Sequence, residues 1–89
     1  MWIEYDDAKR RWTLENRKLD FADVGFVFDG PTFSLQDDRR YPEPRFQTYG
    51  LLDERLVMFA WTPVLDGIRV FSMRRCNDRE YRKFAARLG

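Results

Sequence analysis

The stretch "VFSMRRCNDREYRKF", residues 70–84, decides the fold. Its first half is an apolar, β-prone run that ends in Ser72-Met73-Arg74-Arg75. Asn77 and Glu80 then stand at capping-box spacing, where the Asn side chain and the Glu carboxylate each take up an otherwise unpaired backbone amide. Tyr81, Phe84, Ala85 and Leu88 follow at i, i+3, i+4 and i+7, the apolar stripe of a helix over 77–88. A strand that hands over at once to an amphipathic helix is the signature of a small α+β domain. The two arginines at the joint are then either an anion site or a solvated hinge.

Upstream, "RFQTYGLL" (45–52), "RLVMFAWT" (55–62) and "IRVFSMR" (68–74) read as three strands, separated only by Asp53-Glu54 and by "PVLDG". Connections this short favour an antiparallel meander. "TFSLQ" (32–36) alternates, with Phe33 and Leu35 on one side, and "DDRRYPEP" (37–44) is a polar loop. Met1 to Tyr5 reads as an edge strand. Asp6 can cap a helix to about Arg17, with acids near its positive end and bases near its negative end. Ala8 and Trp12 share one face of it, with Lys9, Arg10 and Glu15 outward. Asp20 is a second cap, Phe21 to Phe28 is apolar nearly all round as a buried short helix would be, and Gly30-Pro31 stops it. The expected fold is one α+β domain over residues 1–89. An antiparallel sheet of three to four strands packs with two N-terminal helices and one C-terminal helix.

Hydrophobic residues at 44% and fifteen aromatics among 89 residues are enough for one core and no second. No run of about eighteen apolar residues marks a membrane span. The start is charged from its fourth residue, unlike a signal peptide. A single cysteine, Cys76, forms no internal disulfide, and a chain without histidine has no ordinary zinc set. No cofactor is expected, and a reducing cytoplasm fits best. The net charge of +1 hides an uneven distribution: −3 over residues 1–8, +4 over 9–18, −5 over 19–68 and +5 over 69–89. The two basic segments could merge into one face, the footprint of a nucleic-acid binder, or be separately solvated helix faces.

The motif order resembles the BrnT family, the toxin half of bacterial type II toxin–antitoxin pairs. Tyr5-Asp6-Asp7-Ala8-Lys9 is similar to the family's aromatic-Asp-x-x-Lys start, and Phe21 through Val27-Phe28-Asp29-Gly30-Pro31 to its second helix. Arg45-Phe46-Gln47-Thr48-Tyr49-Gly50 is similar to its Arg-Phe-x-x-x-Gly strand. Arg69, Ser72, Arg74 and Arg75 followed by Arg79-Glu80-Tyr81 resemble its Arg-x-x-Ser-x-Arg run and Glu-Arg helix. The resemblance implies a RelE-like fold and a metal-independent ribonuclease that blocks translation. It also implies a BrnA-like antitoxin over the active face, and a complex that binds its promoter DNA. Where the family carries Lys-His-Gly after the first helix, this chain has Asn16-Arg17-Lys18.

RNA can be cut by its own 2′-hydroxyl if a protein moves protons and stabilises the phosphate charge. Arginine suits the second task, as a planar fork of donors that is always charged. Arg74 and Arg75 are the candidates for it, with proton transfer falling to Lys9, Glu80 or Tyr81. Arg17, Arg69, Ser72 and Arg79 are the expected RNA contacts on the resemblance. Plainer readings stand beside these. Arg74 and Arg75 point to opposite faces if the strand continues, Ser72 has no paired base, Glu80 is a cap, and Lys9 is a helix-surface charge. Trp2, Trp12 and Trp61 are expected in the core, although an exposed one could stack on RNA. Cys76 reads as a small semi-buried residue. A non-catalytic module that keeps the fold and binds an antitoxin-like partner or DNA is the alternative function.

Overall fold

The computed structural model describes residues 1–88. Strand alternation builds it outward from the longest strand. In β4 (Arg55–Val64), Val57, Phe59 and Trp61 point to one face and Leu56, Met58 and Ala60 to the other. β3 (Phe46–Leu52) and β5 (Gly67–Arg75) flank it antiparallel, and β2 (Thr32–Gln36) pairs antiparallel with β3. The two residues between β3 and β4, Asp53 and Glu54, have φ of 51° and 64°, the left-handed pair that a two-residue hairpin twisted like its strands demands. β1 (Trp2–Glu4) joins the far side of β5 in parallel, so the sheet order is β1-β5-β4-β3-β2.

Each face of the sheet has its own core. On the first, Leu19, Phe21, Val24 and Val27 cover Val57, Phe59, Ile68, Val70 and Met73. They come from a 3-10 turn (Phe21–Asp23), the residue before its cap, and α2 (Val24–Asp29). On the second, Phe84 and Leu88 cover Tyr49, Leu56 and Met58, with Phe33 and Cys76 at the margin. They sit on α3 (Asp78–Phe84) and the 3-10 turn that extends it (Ala85–Leu88). Two glycines are fixed by close approach. A Cβ on Gly50 would lie 2.5 Å from Val27 Cγ1, and one on Gly67 would lie 1.9 Å from the Trp2 carbonyl oxygen.

The local signals behave as read. Asp6 accepts from the Lys9 amide to start α1 (Asp7–Arg17), and the Asn77–Glu80 capping box is complete. The α+β class and the meander stand, but the sheet has five strands rather than three or four, because both short flanking segments pair into it. The burial expected for α1 is corrected. Ala8 and Trp12 are exposed, and the buried residue is Thr13, whose hydroxyl donates to the Lys9 carbonyl. α1 lies against β5 through that narrow contact, so its one tryptophan is not needed as filler. Trp2 is exposed too, while Trp61 packs on the first core. Arg10 does not look outward: it grips Asp20 through Nε and Nη2 at 2.7 and 2.9 Å, tying α1 to the next cap. Phe26 is exposed on α2, which is therefore buried on one side only.

Candidate nucleic-acid interface

α3 covers only one end of the second sheet face. Its Phe84 ring lies 4.7 Å from Tyr49 and 5.2 Å from Phe33. Register places Phe33, Tyr49, Met58 and Arg74 in one row across the strands, and Leu35, Gln47, Ala60 and Ser72 in the next. The second row is short in side chain around Ala60 and Ser72 and is partly exposed along its length, so it forms a trough. A bulge borders it: Ser72 pairs with Ala60 and Val70 with Trp61, which leaves Phe71 as the extra residue. Phe71 carries the Arg45 guanidinium on its ring at 4.0 Å, and Tyr41 takes the same guanidinium at 3.9 Å. Glu43 holds Arg45 in that sandwich at 2.8 Å.

Arg74 stands at the α3 border of the trough. Its Nη1 and Nη2 each donate to a Glu80 oxygen at 2.8 Å, and Glu80 also accepts from the Asn77 amide at 3.0 Å. The Arg74 hydrogen bonds and then the Asn77 amide pull the Glu80 carboxyl down to about 2. Glu80 is thus a fixed anion that orients Arg74, and a poor proton acceptor near neutrality. The end-on grip leaves the Nε–H of Arg74 without a partner among the described residues, so one side of the guanidinium can still meet a phosphate. Burial, then the Glu80 charge, pushes the Cys76 thiol up to about 11, which removes it as a nucleophile.

The strand edge forms the third border. Lys9, Trp12, Thr13 and Arg17 of α1 face Phe71 and Ser72 of β5 across a cavity of about 180 Å³. Arg17 donates to the Met73 carbonyl at 2.9 Å and lies 5.0 Å from the centre of the Trp12 ring. Lys9 reaches to 5.9 Å from the Phe71 ring.

The residues predicted from sequence therefore divide. Arg74 and Glu80 are brought together, as are Lys9, Arg17 and Ser72, and Ser72 and Arg74 point to the same face two positions apart. Arg75 points to the opposite face, into a recess with Lys18, Leu19, Asp23 and Asp53. Arg69 is tied to Glu4 at 3.2 Å beyond the bulge, and Arg79 is exposed on the first turn of α3. Tyr81 lines a separate recess with Arg55 and Arg75. Sequence reasoning expected Trp12 in the core, as a stacking surface only if exposed, gave Arg45 no role beyond its motif, and did not single out Tyr41. The arginine that opens the Arg45-Phe46 strand, next to a loop with its own tyrosine, was the signal available.

Comparison with known families gives the class of protein, the ribonuclease toxins of type II toxin–antitoxin systems. Residues 5–80 match the family model described as "Ribonuclease toxin, BrnT, of type II toxin-antitoxin system". The chain belongs to the BrnT family, as its motif order implied. No curated protein and no solved structure matches it.

Proposed function

We propose that the protein cuts RNA at the trough without a metal ion, so halting translation, and that a BrnA-like antitoxin neutralises it by covering this face. Complex formation with that antitoxin also creates the promoter-binding species. The observation that carries the reading is Arg74: a half-exposed guanidinium oriented by a fixed carboxylate, with its Nε–H unpaired among the described residues. It stabilises charge on the phosphate oxygens as the 2′-hydroxyl attacks, the preorganised arrangement that contributes most in such reactions. Lys9, across the cleft from Ser72 and tied to no carboxylate among the described residues, donates a proton to the leaving 5′-oxygen, while solvent water takes up the 2′-hydroxyl proton. Arg17 and Ser72 hold the RNA backbone. Arg75, Arg69 and Arg79 act, if they touch RNA, on strand flanking the cleaved bond.

The test is cleavage of single-stranded RNA in the presence of a chelator, with product ends analysed. Fragments ending in a 2′,3′-cyclic phosphate are expected. Arg74→Ala should lower the rate by on the order of a hundredfold, and Lys9→Met should lower it while binding persists. Intact RNA with the wild-type protein, at every concentration that arrests growth on induction, would defeat the proposal.

One observation favours a second reading, a binding module without cleavage. Arg17 stands where the family carries histidine and is fastened to the Met73 carbonyl, and Glu80 is held as an anion, so two positions suited to proton transfer are occupied. Salt-sensitive RNA or DNA binding with no cleaved product marks that outcome.

A further inference from the structure

We infer that the cleft between α1 and β5 is a nucleobase subsite, in which one unpaired base of single-stranded RNA stacks on Trp12. This rests on the ribonuclease reading of the neighbouring trough and adds to it the place where the substrate's base is held. Trp12 is 52% exposed, an uncommon state for a tryptophan that no neighbouring aromatic covers. The ring is nonetheless fixed in place. Arg17 lies against it and is itself anchored to β5 through the Met73 carbonyl, so the indole and guanidinium form a preset platform.

The rest of the cleft suits a base rather than a peptide or a lipid. It is narrow, about 180 Å³, with Phe71 as its second aromatic wall and two cations, Lys9 and Arg17, at its rim. Its hydroxyls are few. Thr13 already donates to the Lys9 carbonyl, which leaves Ser72 as the free hydroxyl among the described lining residues. A site built from ring faces and cations, with one hydroxyl, grips any base by its π-face and reads its edge weakly. Ser72 also joins the subsite to Arg74, two residues along the same face of β5, about 7 Å by strand rise. The subsite therefore lies beside the phosphate site on β5, and one bound strand can run from Trp12 past Ser72 to Arg74.

The test measures the affinity and tryptophan emission of the full chain with a short 2′-O-methyl RNA, which binds and resists cleavage. Binding should quench the wild-type emission. Trp12→Ala should weaken binding about tenfold, the effect of one lost stack, while Trp12→Phe keeps most of the affinity and loses most of the quench. Because Trp12 is exposed, both variants should keep the wild-type circular dichroism. An oligonucleotide with its bases removed should bind wild type and Trp12→Ala alike. If Trp12→Ala binds as tightly as wild type while Arg74→Ala does not, the subsite is wrong and the phosphate site stands. If wild type binds no RNA at all, both fall together.

Discussion

Glu80 receives two hydrogen bonds from Arg74 and one from the Asn77 amide, so a single carboxylate aims that arginine and starts α3. Those bonds lower its carboxyl from 4.5 to about 2. The stability it contributes is therefore fully present above about pH 4.5 and is lost as pH falls toward 2. Glu80→Gln should be less stable than wild type near neutrality and show a shallower loss across that acid window, as urea midpoints at a series of pH values will reveal. Equal acid limbs for the two proteins would contradict the assignment. Lys18 is a residue of another kind. It closes α1 at φ 58°, a left-handed position that favours glycine. Relief of that left-handed strain outweighs the extra chain entropy of glycine, so Lys18→Gly should raise stability by roughly 0.5–1 kcal/mol, visible as a higher melting temperature.

At the scale of elements, the strands are spaced by what their glycines admit. Gly50 lets α2 sit on β3, since a methyl group there would meet Val27 Cγ1 at 2.5 Å and Thr32 Cγ2 at 2.9 Å. Gly50→Ala should cost about 1–3 kcal/mol, the usual penalty for overpacking a filled core, measured by denaturant unfolding. An unchanged midpoint would show that α2 can retreat freely. The same scale explains what could be read from the chain. The caps at Asp6 and Asn77, the stop at Gly30-Pro31 and the hairpin at Asp53-Glu54 were legible because each is settled within a few residues. The parallel pairing of β1 with β5 was not, because nothing in Trp2–Glu4 specifies a partner 65 positions away. Trp12 was misread because apolar spacing on α1 suggests a buried stripe, whereas the contact that docks the helix is made by Thr13. The bulge that displaces Phe71 has no local signal, and without it the aromatic cleft and the Arg45 sandwich could not be foreseen.

Across the whole molecule, a chain of net charge +1 concentrates cations where its two basic segments meet. Lys9 and Arg17 come from the first and Arg74 from the second, and β5 holds them around one trough. If the two arginines of the proposed site, Arg17 and Arg74, each meet a phosphate of a single strand, the slope of log affinity against log salt should be roughly −1.4. Arg74→Ala should reduce that slope by about 0.7, and Arg75→Ala, on the opposite face, should leave it unchanged. Titrations of the 2′-O-methyl RNA at several salt concentrations decide this. A loss of slope in Arg75→Ala equal to that in Arg74→Ala would mean that RNA wraps round the end of the sheet.

The parallel β1–β5 pair also orders events in time. α1 hangs from β1 through Tyr5 and Asp6 alone, and β1 finds its neighbour only in residues 67–69. While a ribosome is still making this chain, the helix bearing Lys9, Trp12 and Arg17 has emerged, but the strand that completes the cleft has not. The half-made chain consequently lacks the α1–β5 cleft. The cleft forms in one late step, the closing of a long loop, when β1 meets β5.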